Sequence, residues 1–265
     1  MTGIVITGAA GRMGGALIRC AAAFKDLRVV GATEQDGNQA VGRDAGAVAG
    51  IGEIGVKIGE TFETAPRGSV VIDFTAHAAT AANARLASEL GIAMVIGTTG
   101  LTDAEGEAVK RAAKKIPIVW APNMGLGMNV LFALVRKAAE TLGMRYDVEI
   151  VETHHRHKKD APSGTALRLA GEVAAARKQD LKAVAAYGRN GQTGERPVGQ
   201  IAIHALRMGD IVGDHTVSFA VDGERIELSH RATSRDAFAV GALRAAMWVA
   251  GRKPGLYDMH DVLGL

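Results

Sequence analysis

Residues 1–34 constrain the fold of this chain more than any other stretch. A short apolar run, Gly3 to Thr7, is followed at once by the glycine-rich segment Gly8–Gly14 and then by apolar residues at helical spacing. A second apolar run, Leu27 to Ala32, leads directly to Glu34. This order of strand, glycine turn, helix, strand and acidic residue predicts a βαβ unit that binds a dinucleotide.

The glycine positions suit such a ligand. Gly8 permits a tight turn, Gly11 lets the backbone approach a pyrophosphate, and Gly14 lets the helix pack closely on the strand. Glu34 lies twenty residues after Gly14, the spacing expected of a carboxylate that binds the adenosine ribose. The spacing is G-x-x-G-x-x-G and the chain has 34 glycines. A glycine-rich turn in an unrelated α/β domain therefore stays open as the alternative.

Strand and helix patterns continue to alternate through the first half of the chain. Predicted strands cover 69–74, 92–96 and 116–120, and predicted helices cover about 76–90 and 103–114. We predict class α/β, with a Rossmann-like doubly wound parallel sheet built from residues 1–125 and 236–265. The carboxyl ends of parallel strands line the ligand crevice of such a sheet.

The pattern changes after residue 125 and predicts a second, α+β domain over 126–235. Strands are expected at 147–153, 200–206, 211–221 and 225–231, and Asp222-Gly223 predicts a two-residue hairpin. We therefore expect a mainly antiparallel sheet. The polar segment Gly188–Gly199 is interpreted as a mobile lid or a linker.

The segment from Glu152 to Thr165 carries the densest chemistry of the chain. Three histidines, an arginine and two lysines occupy the six residues from His154 to Lys159, and Ser163 then begins a predicted helix. Histidine donates protons near neutral pH, lysine binds anions, and a helix N-terminus offers N–H groups to a carboxylate. The segment predicts a site where a small anion is protonated, although a solvated basic face is the plainer interpretation. No metal site is expected, because no further Cys or His pair completes a zinc pattern.

The composition narrows the function classes. Lysines and arginines are dispersed, the net charge is only +3 and aromatic residues make up 4%, so no nucleic-acid partner is expected. No apolar stretch is long enough to span a bilayer, so no membrane partner is expected. The single cysteine, Cys20, falls on the apolar side of the first helix. It is compatible with a reducing compartment, and we expect a cytoplasmic protein.

Four segments together resemble the bacterial dihydrodipicolinate reductases, also called 4-hydroxy-tetrahydrodipicolinate reductases. They are Gly8–Gly14, Gly97–Gly100, Ala121–Asn123 and Glu152–Thr165. The resemblance implies reduction of a cyclic imine dicarboxylate to tetrahydrodipicolinate with NADH or NADPH, in lysine and diaminopimelate biosynthesis. It also implies a homotetramer that assembles through the second domain, which binds the substrate.

The resemblance further implies roles for individual residues. His154 would donate the proton, with Lys158 as its partner, and His155, Gly164 and Thr165 would hold the substrate carboxylates. Arg156 and His157 are expected to orient the loop or to pair with Asp160. The implied cofactor contacts are Gly8, Ala9, Ala10, Gly11, Arg12, Met13, Glu34, Gly97, Thr98, Thr99, Ala121, Pro122, Asn123 and Met124.

Two residues depart from the family pattern. Gln35 stands where many members have an arginine that pairs with the 2′-phosphate of NADP, so we predict a preference for NADH, or dual use with help from Arg12. Met124 stands where a phenylalanine is often found.

Three other functions compete with this interpretation. A homoserine-dehydrogenase-like reductase would use the same cofactor domain, and a thiol-dependent semialdehyde dehydrogenase would need Cys20 as its nucleophile. A nicotinamide-sensing protein would bind the cofactor without turnover.

Overall fold

The computed structural model describes all residues from 1 to 265. Backbone contacts divide them into two compact units, Met1–Leu126 with Arg235–Leu265, and Gly127–Ser234.

The first half of the chain forms strands and helices in alternation. Its strands are β1 (Thr2–Thr7), β2 (Leu27–Thr33), β3 (Ile58–Gly59), β4 (Val70–Asp73), β5 (Ala93–Ile96) and β6 (Pro117–Trp120). Its helices are α1 (Arg12–Ala21), α2 (Ala45–Ala49), α3 (His77–Leu90) and α4 (Asp103–Ala113).

The middle of the chain forms the second unit. Its helices are α5 (Leu126–Leu142), α6 (Gly164–Ala176) and α7 (Leu181–Val184), with a 3₁₀ turn at Gly143–Arg145. Its strands are β7 (Asp147–His154), β8 (Ala185–Tyr187), β9 (Ile201–Arg207), β10 (Gly213–Val221) and β11 (Glu224–Ala232). The chain then returns to the first unit with α8 (Asp236–Val249), β12 (Gly255–Tyr257) and α9 (Met259–Leu263).

The first unit is built on a seven-stranded sheet in the order β12-β6-β5-β4-β1-β2-β3, and every pair of neighbours is parallel. Alternate residues of β1 face opposite sides of the sheet. Ile4 and Ile6 pack in a core with α1 and α8, and Val5 packs in a second core with α3 and α4. The predicted doubly wound sheet is therefore confirmed. The strand order reverses between β1 and β4, which is where such sheets bind ligands.

The second unit has a five-stranded sheet in the order β11-β10-β7-β9-β8. Strand β10 is antiparallel to β7 and β11, and the Asp222-Gly223 hairpin forms as predicted. Strands β7, β9 and β8 are parallel to one another. The sheet is thus mixed, where the sequence predicted a mainly antiparallel one.

The connections between the strands explain this difference. Parallel neighbours need a crossover of roughly a dozen residues, whereas antiparallel neighbours need only a tight turn. The polar segment 188–200 is the crossover that joins β8 to β9. Within it, Arg189 and Arg196 both bond to Glu149 on β7, so the segment is anchored to the sheet. One face of this sheet packs on α5 and α6 through residues that include Ile150 and Phe219.

Candidate functional site

The glycine turn after β1 is built as the sequence predicted. Gly8 has a φ of +66°, in the left-handed region that favours glycine. A Cβ atom on Gly14 would lie 2.2 Å from the carbonyl oxygen of Gly8, so only glycine lets α1 approach the turn this closely.

The N-terminus of α1 is suited to an anion. Its cap residue, Gly11, has no side chain to bond the first N–H groups, and the first turn contains no acidic residue. Arg12 is exposed beside this terminus, and Met13 packs partly against the core. Unpaired N–H groups and the positive end of the helix dipole both favour a phosphate at this position. These residues therefore fit a dinucleotide.

Glu34 lies next to the glycine turn and bonds to it directly. One carboxylate oxygen accepts a hydrogen bond from the backbone N–H of Ala10 at 3.1 Å, and the other accepts from the N–H of Gln35 at 3.1 Å. The neighbouring Ala9 is fully buried, whereas the Gln35 side chain is exposed. The carboxylate predicted to bind a ribose is thus held at the edge of the turn.

A buried carboxylate that the sequence analysis missed organises the ends of β4 and β5. Asp73 is fully buried and accepts hydrogen bonds from the hydroxyls of Thr75, Thr80 and Thr98, at 2.8 to 2.9 Å. Asn83 donates a further bond at 2.7 Å. The Thr98 hydroxyl therefore points into the protein. The only signal in the sequence was an acidic residue that ends an apolar strand.

The remaining predicted cofactor residues differ in what they can offer a ligand. A Cβ on Gly97 would lie 2.1 Å from the ring of Phe74, so the ring lies directly against this glycine. Thr99 and Pro122 are exposed, and Asn123 is half-buried and accepts a bond from the N–H of Gly125 at 2.8 Å.

Ala121 and Met124 are buried in the core of the first unit. A Cβ on Gly241 of α8 would lie 1.7 Å from the carbonyl oxygen of Met124. Because its side chain is enclosed, Met124 can reach a ligand only through its backbone.

In the second unit, Glu152 is the centre of a hydrogen-bond network that includes His154, Arg207 and Ser163. Glu152 is fully buried near the end of β7, and its Oε2 lies 2.5 Å from Nδ1 of His154. Arg207 of β9 donates to both carboxylate oxygens, at 2.8 and 2.9 Å. The backbone N–H of Ser163 donates to Oε1 at 3.0 Å. Burial alone would raise the pKa of Glu152, but these hydrogen bonds outweigh it and leave the pKa below its ordinary value.

Helix α6 begins at the cap residue Ser163, whose hydroxyl accepts a hydrogen bond from the N–H of Ala166 at 3.1 Å. Gly164 is exposed and Thr165 is half-buried in the first turn. A Cβ on Gly164 would meet no atom within 4 Å, so there is open space beside this turn. The terminus can receive a carboxylate.

The loop between β7 and α6 carries the other predicted groups. The Nζ of Lys158 donates to both oxygens of Asp160 at 2.9 Å, so the partner of Asp160 is Lys158 and not Arg156 or His157 as the sequence suggested. The pairing is local because the two residues are separated by one position. Lys158 is bound to Asp160, whereas His154 is bound to Glu152. His155 is half-buried, with its ring 6.3 Å from that of His157.

A second histidine, His215 of β10, lies behind His154. The two rings meet edge to face with centroids 5.2 Å apart, and Nε2 of His215 lies 3.2 Å from the hydroxyl oxygen of Ser163. Burial and the neighbouring His154 lower the pKa of His215 to about 3. His215 is therefore neutral at physiological pH.

The structure contains no cluster of three or more His, Cys, Asp or Glu side chains arranged to hold a metal ion. None of its helices combines the length and the apolar character needed to cross a membrane.

Two family models match the chain. Residues 2–124 match "Dihydrodipicolinate reductase, N-terminus", and residues 127–263 match "Dihydrodipicolinate reductase, C-terminus". The chain belongs to the dihydrodipicolinate reductase family. The residues that match the C-terminal model include α8, β12 and α9, which pack in the first unit.

Individual relatives agree with the family models. The chain is 54% identical to the 4-hydroxy-tetrahydrodipicolinate reductase of Anaeromyxobacter dehalogenans strain 2CP-C, covering 100% of this chain and 98% of the relative. It is 55% identical, with the same coverage, to the enzyme of that name from Anaeromyxobacter sp. strain Fw109-5. A dipicolinate-bound dihydrodipicolinate reductase from Paenisporosarcina sp. TG-14 has the same fold, with a TM-score of 0.75 at 22% identity over 97% of both chains.

Proposed function

We propose that this reductase converts 4-hydroxy-tetrahydrodipicolinate, a cyclic imine dicarboxylate, to tetrahydrodipicolinate with NADH or NADPH, in lysine and diaminopimelate biosynthesis. The observation that carries the proposal is His154, bound to a buried carboxylate close to the N-terminus of α6, in a chain that matches the family over nearly its whole length. A proton donor beside an anion-binding helix end is what reduction of a charged imine requires.

The first unit is the proposed cofactor-binding domain. The uncapped N-terminus of α1 would hold the pyrophosphate, and Glu34 would bind the adenosine ribose. The exposed backbone after β5 and β6, at Thr99 and Pro122, would contact the nicotinamide half. Gln35 is exposed and uncharged beside Glu34, so position 35 offers no cation to a 2′-phosphate. We therefore propose NADH as the preferred cofactor.

The second unit is the proposed substrate domain. The first turn of α6, with Gly164 and Thr165, would hold one carboxylate of the substrate, and His155 and Lys158 would hold the other. Lys158 can exchange Asp160, which is largely exposed, for the substrate carboxylate without burying an unpaired charge.

A bound reduced nicotinamide supplies the hydride. The substrate ring gains this hydride and one proton and loses its hydroxyl as water, so the electrons and atoms balance. Because Nδ1 of His154 is bound to Glu152, the proton would leave from Nε2. A positioned acid of this kind is worth roughly 100- to 10,000-fold in rate.

We further propose a cytoplasmic homotetramer that assembles through the second sheet. The face of this sheet opposite α5 and α6 exposes Val151 and Leu206, at 36% and 40%, beside Thr216 and Ser218. A partly apolar, otherwise polar sheet face is suited to pairing with another copy. The one cysteine, Cys20, is a free thiol, which suits a reducing compartment.

Two of the competing functions are not favoured. Burial raises the pKa of the Cys20 thiol, which is the opposite of what an activated nucleophile needs. The homoserine-dehydrogenase-like alternative is not favoured, because both family models are those of dihydrodipicolinate reductase.

The test is nicotinamide oxidation followed at 340 nm. The substrate would be generated in situ from pyruvate and aspartate semialdehyde by the preceding synthase, with NADH and NADPH compared at equal concentration. We expect substrate-dependent oxidation, inhibition by dipicolinate and a higher kcat/KM with NADH. Absence of oxidation with either cofactor, from protein that binds one of them, would refute the reaction. A higher kcat/KM with NADPH would refute only the cofactor preference.

A further inference from the structure

Glu152 has an unusual environment for a carboxylate. It is fully buried, and its two oxygens receive four donors from three separate parts of the second unit. Oε2 faces Nδ1 of His154 and Nη1 of Arg207, and Oε1 faces Nη2 of Arg207 and the backbone N–H of Ser163. Both oxygens are fully engaged within the protein, so Glu152 has no capacity left for a ligand.

We infer that Glu152 is a positioning residue for this reaction: it fixes the tautomer and direction of the His154 ring and aligns that ring with the N-terminus of α6. The inference rests on the proposed role of His154 as proton donor.

The contact between Glu152 and His154 determines where the proton is carried. A carboxylate accepts but does not donate, so Nδ1 of His154 must hold a hydrogen. Proton exchange with a substrate is then left to Nε2. Nε2 lies against Gly213, because a Cβ atom placed on Gly213 would come within 3.0 Å of it. The side chain of His154 is 11% exposed, and glycine at position 213 leaves the space beside Nε2 free of a side chain.

Arg207 disfavours transfer of a proton from His154 to Glu152. A buried carboxylate next to an imidazolium could take its proton, which would leave two neutral groups. The bidentate guanidinium keeps Glu152 ionised, so the carboxylate accepts from Nδ1 of His154 and does not take its proton. The same guanidinium donates to the backbone oxygen of Asp160 at 2.7 Å, which ties the loop that bears Lys158 to the same anchor.

His215 and Lys158 are the other titratable groups of this site, and each is held in a different way. His215 approaches from β10 and is neutral, while Lys158 is paired with Asp160 at the loop. Among the groups that contact the ring, only Glu152 places a charged side chain in hydrogen-bond contact with a ring nitrogen.

Replacement of Glu152 by glutamine gives a sharp test. The glutamine oxygen can still accept from Ser163 and from Nη2 of Arg207, but its NH₂ group would face Nδ1 of His154 and Nη1 of Arg207. A donor there favours the tautomer with hydrogen on Nε2 and disfavours the imidazolium. We expect Glu152→Gln to lower kcat about 100- to 1,000-fold, to move the acid-requiring limb of the kcat profile to lower pH, and to leave the Kd of NADH within about 2-fold of wild type.

Glu149→Gln is the matched control. Glu149 lies on the same strand and bonds two arginines and a histidine, Arg189, Arg196 and His204, but it has no contact with His154. This variant is expected to lower the melting temperature while the kcat profile keeps its shape. Equal changes in the kcat profile of both variants would show that Glu152 acts only through stability.

A second measurement is made on the wild-type protein and does not depend on activity. The ¹⁵N NMR shifts of the imidazole nitrogens of His154, assigned by their loss in His154→Asn, report the tautomer in the wild-type protein. Hydrogen on Nδ1 of the neutral ring supports the inference, and hydrogen on Nε2 overturns it. If the wild type lacks reductase activity but shows the Nδ1 tautomer, the reaction is refuted while the positioning by Glu152 stands.

Discussion

The hydroxyl of Thr98 donates a hydrogen bond to the buried carboxylate of Asp73 at 2.9 Å, across two neighbouring strands of the first sheet. This bond joins the end of β4 to the loop after β5, at the edge where the cofactor is proposed to bind. The side chain of Thr98 therefore shapes the loop, and any contact with the cofactor is left to its backbone.

We predict that Asp73→Asn weakens NADH binding about 10-fold with a smaller effect on kcat. The three threonine hydroxyls donate to Oδ1, which asparagine keeps, but its NH₂ group would replace Oδ2 and face the NH₂ group of Asn83. Two donors then oppose each other in a buried site, so the network is weakened and the loop becomes less ordered. Titration of NADH fluorescence measures the change. Ser69→Ala, at the residue that precedes β4, is the control. Unaltered NADH affinity in Asp73→Asn would contradict a role in shaping this edge.

The glycine turn supports a prediction with an adjacent control. Gly14→Ala would place a Cβ 2.2 Å from the Gly8 carbonyl oxygen, so α1 must move away from β1. We expect a loss of about 3 kcal/mol in the free energy of unfolding and a large loss of NADH affinity. Gly15→Ala would meet only the flexible end of Arg19 at 3.2 Å and should be neutral or stabilising by up to about 1 kcal/mol. Urea denaturation of both variants decides this, and similar losses would show that the close approach is unimportant.

The sequence predicts the parts of this molecule that depend on neighbouring residues. The glycine turn, the Asp222-Gly223 hairpin and the helix at Ser163 are each written in a few consecutive positions. The short strand β8 (Ala185–Tyr187) escaped prediction because three residues carry no periodicity.

Contacts between residues that are far apart in sequence explain why the roles of two buried carboxylates were not predicted. Glu152 meets Arg207 at a separation of 55 residues, and Asp73 meets Thr98 at 25. Neither pairing leaves a local pattern. Glu152 lies in the segment that the sequence singles out, but its role as the partner of His154 depends on burial and on Arg207.

Removal of the proposed proton donor or its cationic neighbour should affect the chemical step selectively. We expect His154→Gln and Lys158→Ala each to lower kcat by about 100-fold or more, with NADH affinity near that of wild type, because neither residue lies in the unit proposed to bind the cofactor. Lys159→Ala, at the exposed neighbouring position, is the control and should retain activity. Parallel losses of NADH affinity would mean that His154 and Lys158 have a structural role.

Cofactor preference is expected to respond to one exposed residue. Gln35→Arg would place a guanidinium beside Glu34, where it can pair with a 2′-phosphate. We expect the ratio of kcat/KM for NADPH to that for NADH to rise about 10-fold. Gln35→Leu removes the amide without adding charge and separates the two effects. An unchanged ratio in Gln35→Arg would show that the 2′-phosphate binds elsewhere.

Stability should fall on mild acidification because of His215. Its pKa is lowered to about 3 by burial first and by His154 second, so the folded protein keeps this ring neutral where the unfolded chain protonates it. The unfolded state therefore binds more protons below pH 6.5, and the contribution to folding is lost as the pH falls from 6.5 towards 3. Between pH 6.5 and 5 the loss from this residue is about 2 kcal/mol.

The carboxylates Glu149 and Glu152, whose pKa values are lowered, lose their contributions only below pH 4.5. His230, whose pKa is also lowered, shares the upper window, so the difference between wild type and His215→Gln isolates His215. Urea denaturation at fixed protein concentration should show a shallower pH dependence for His215→Gln, and parallel curves would contradict the assignment of a neutral, buried His215.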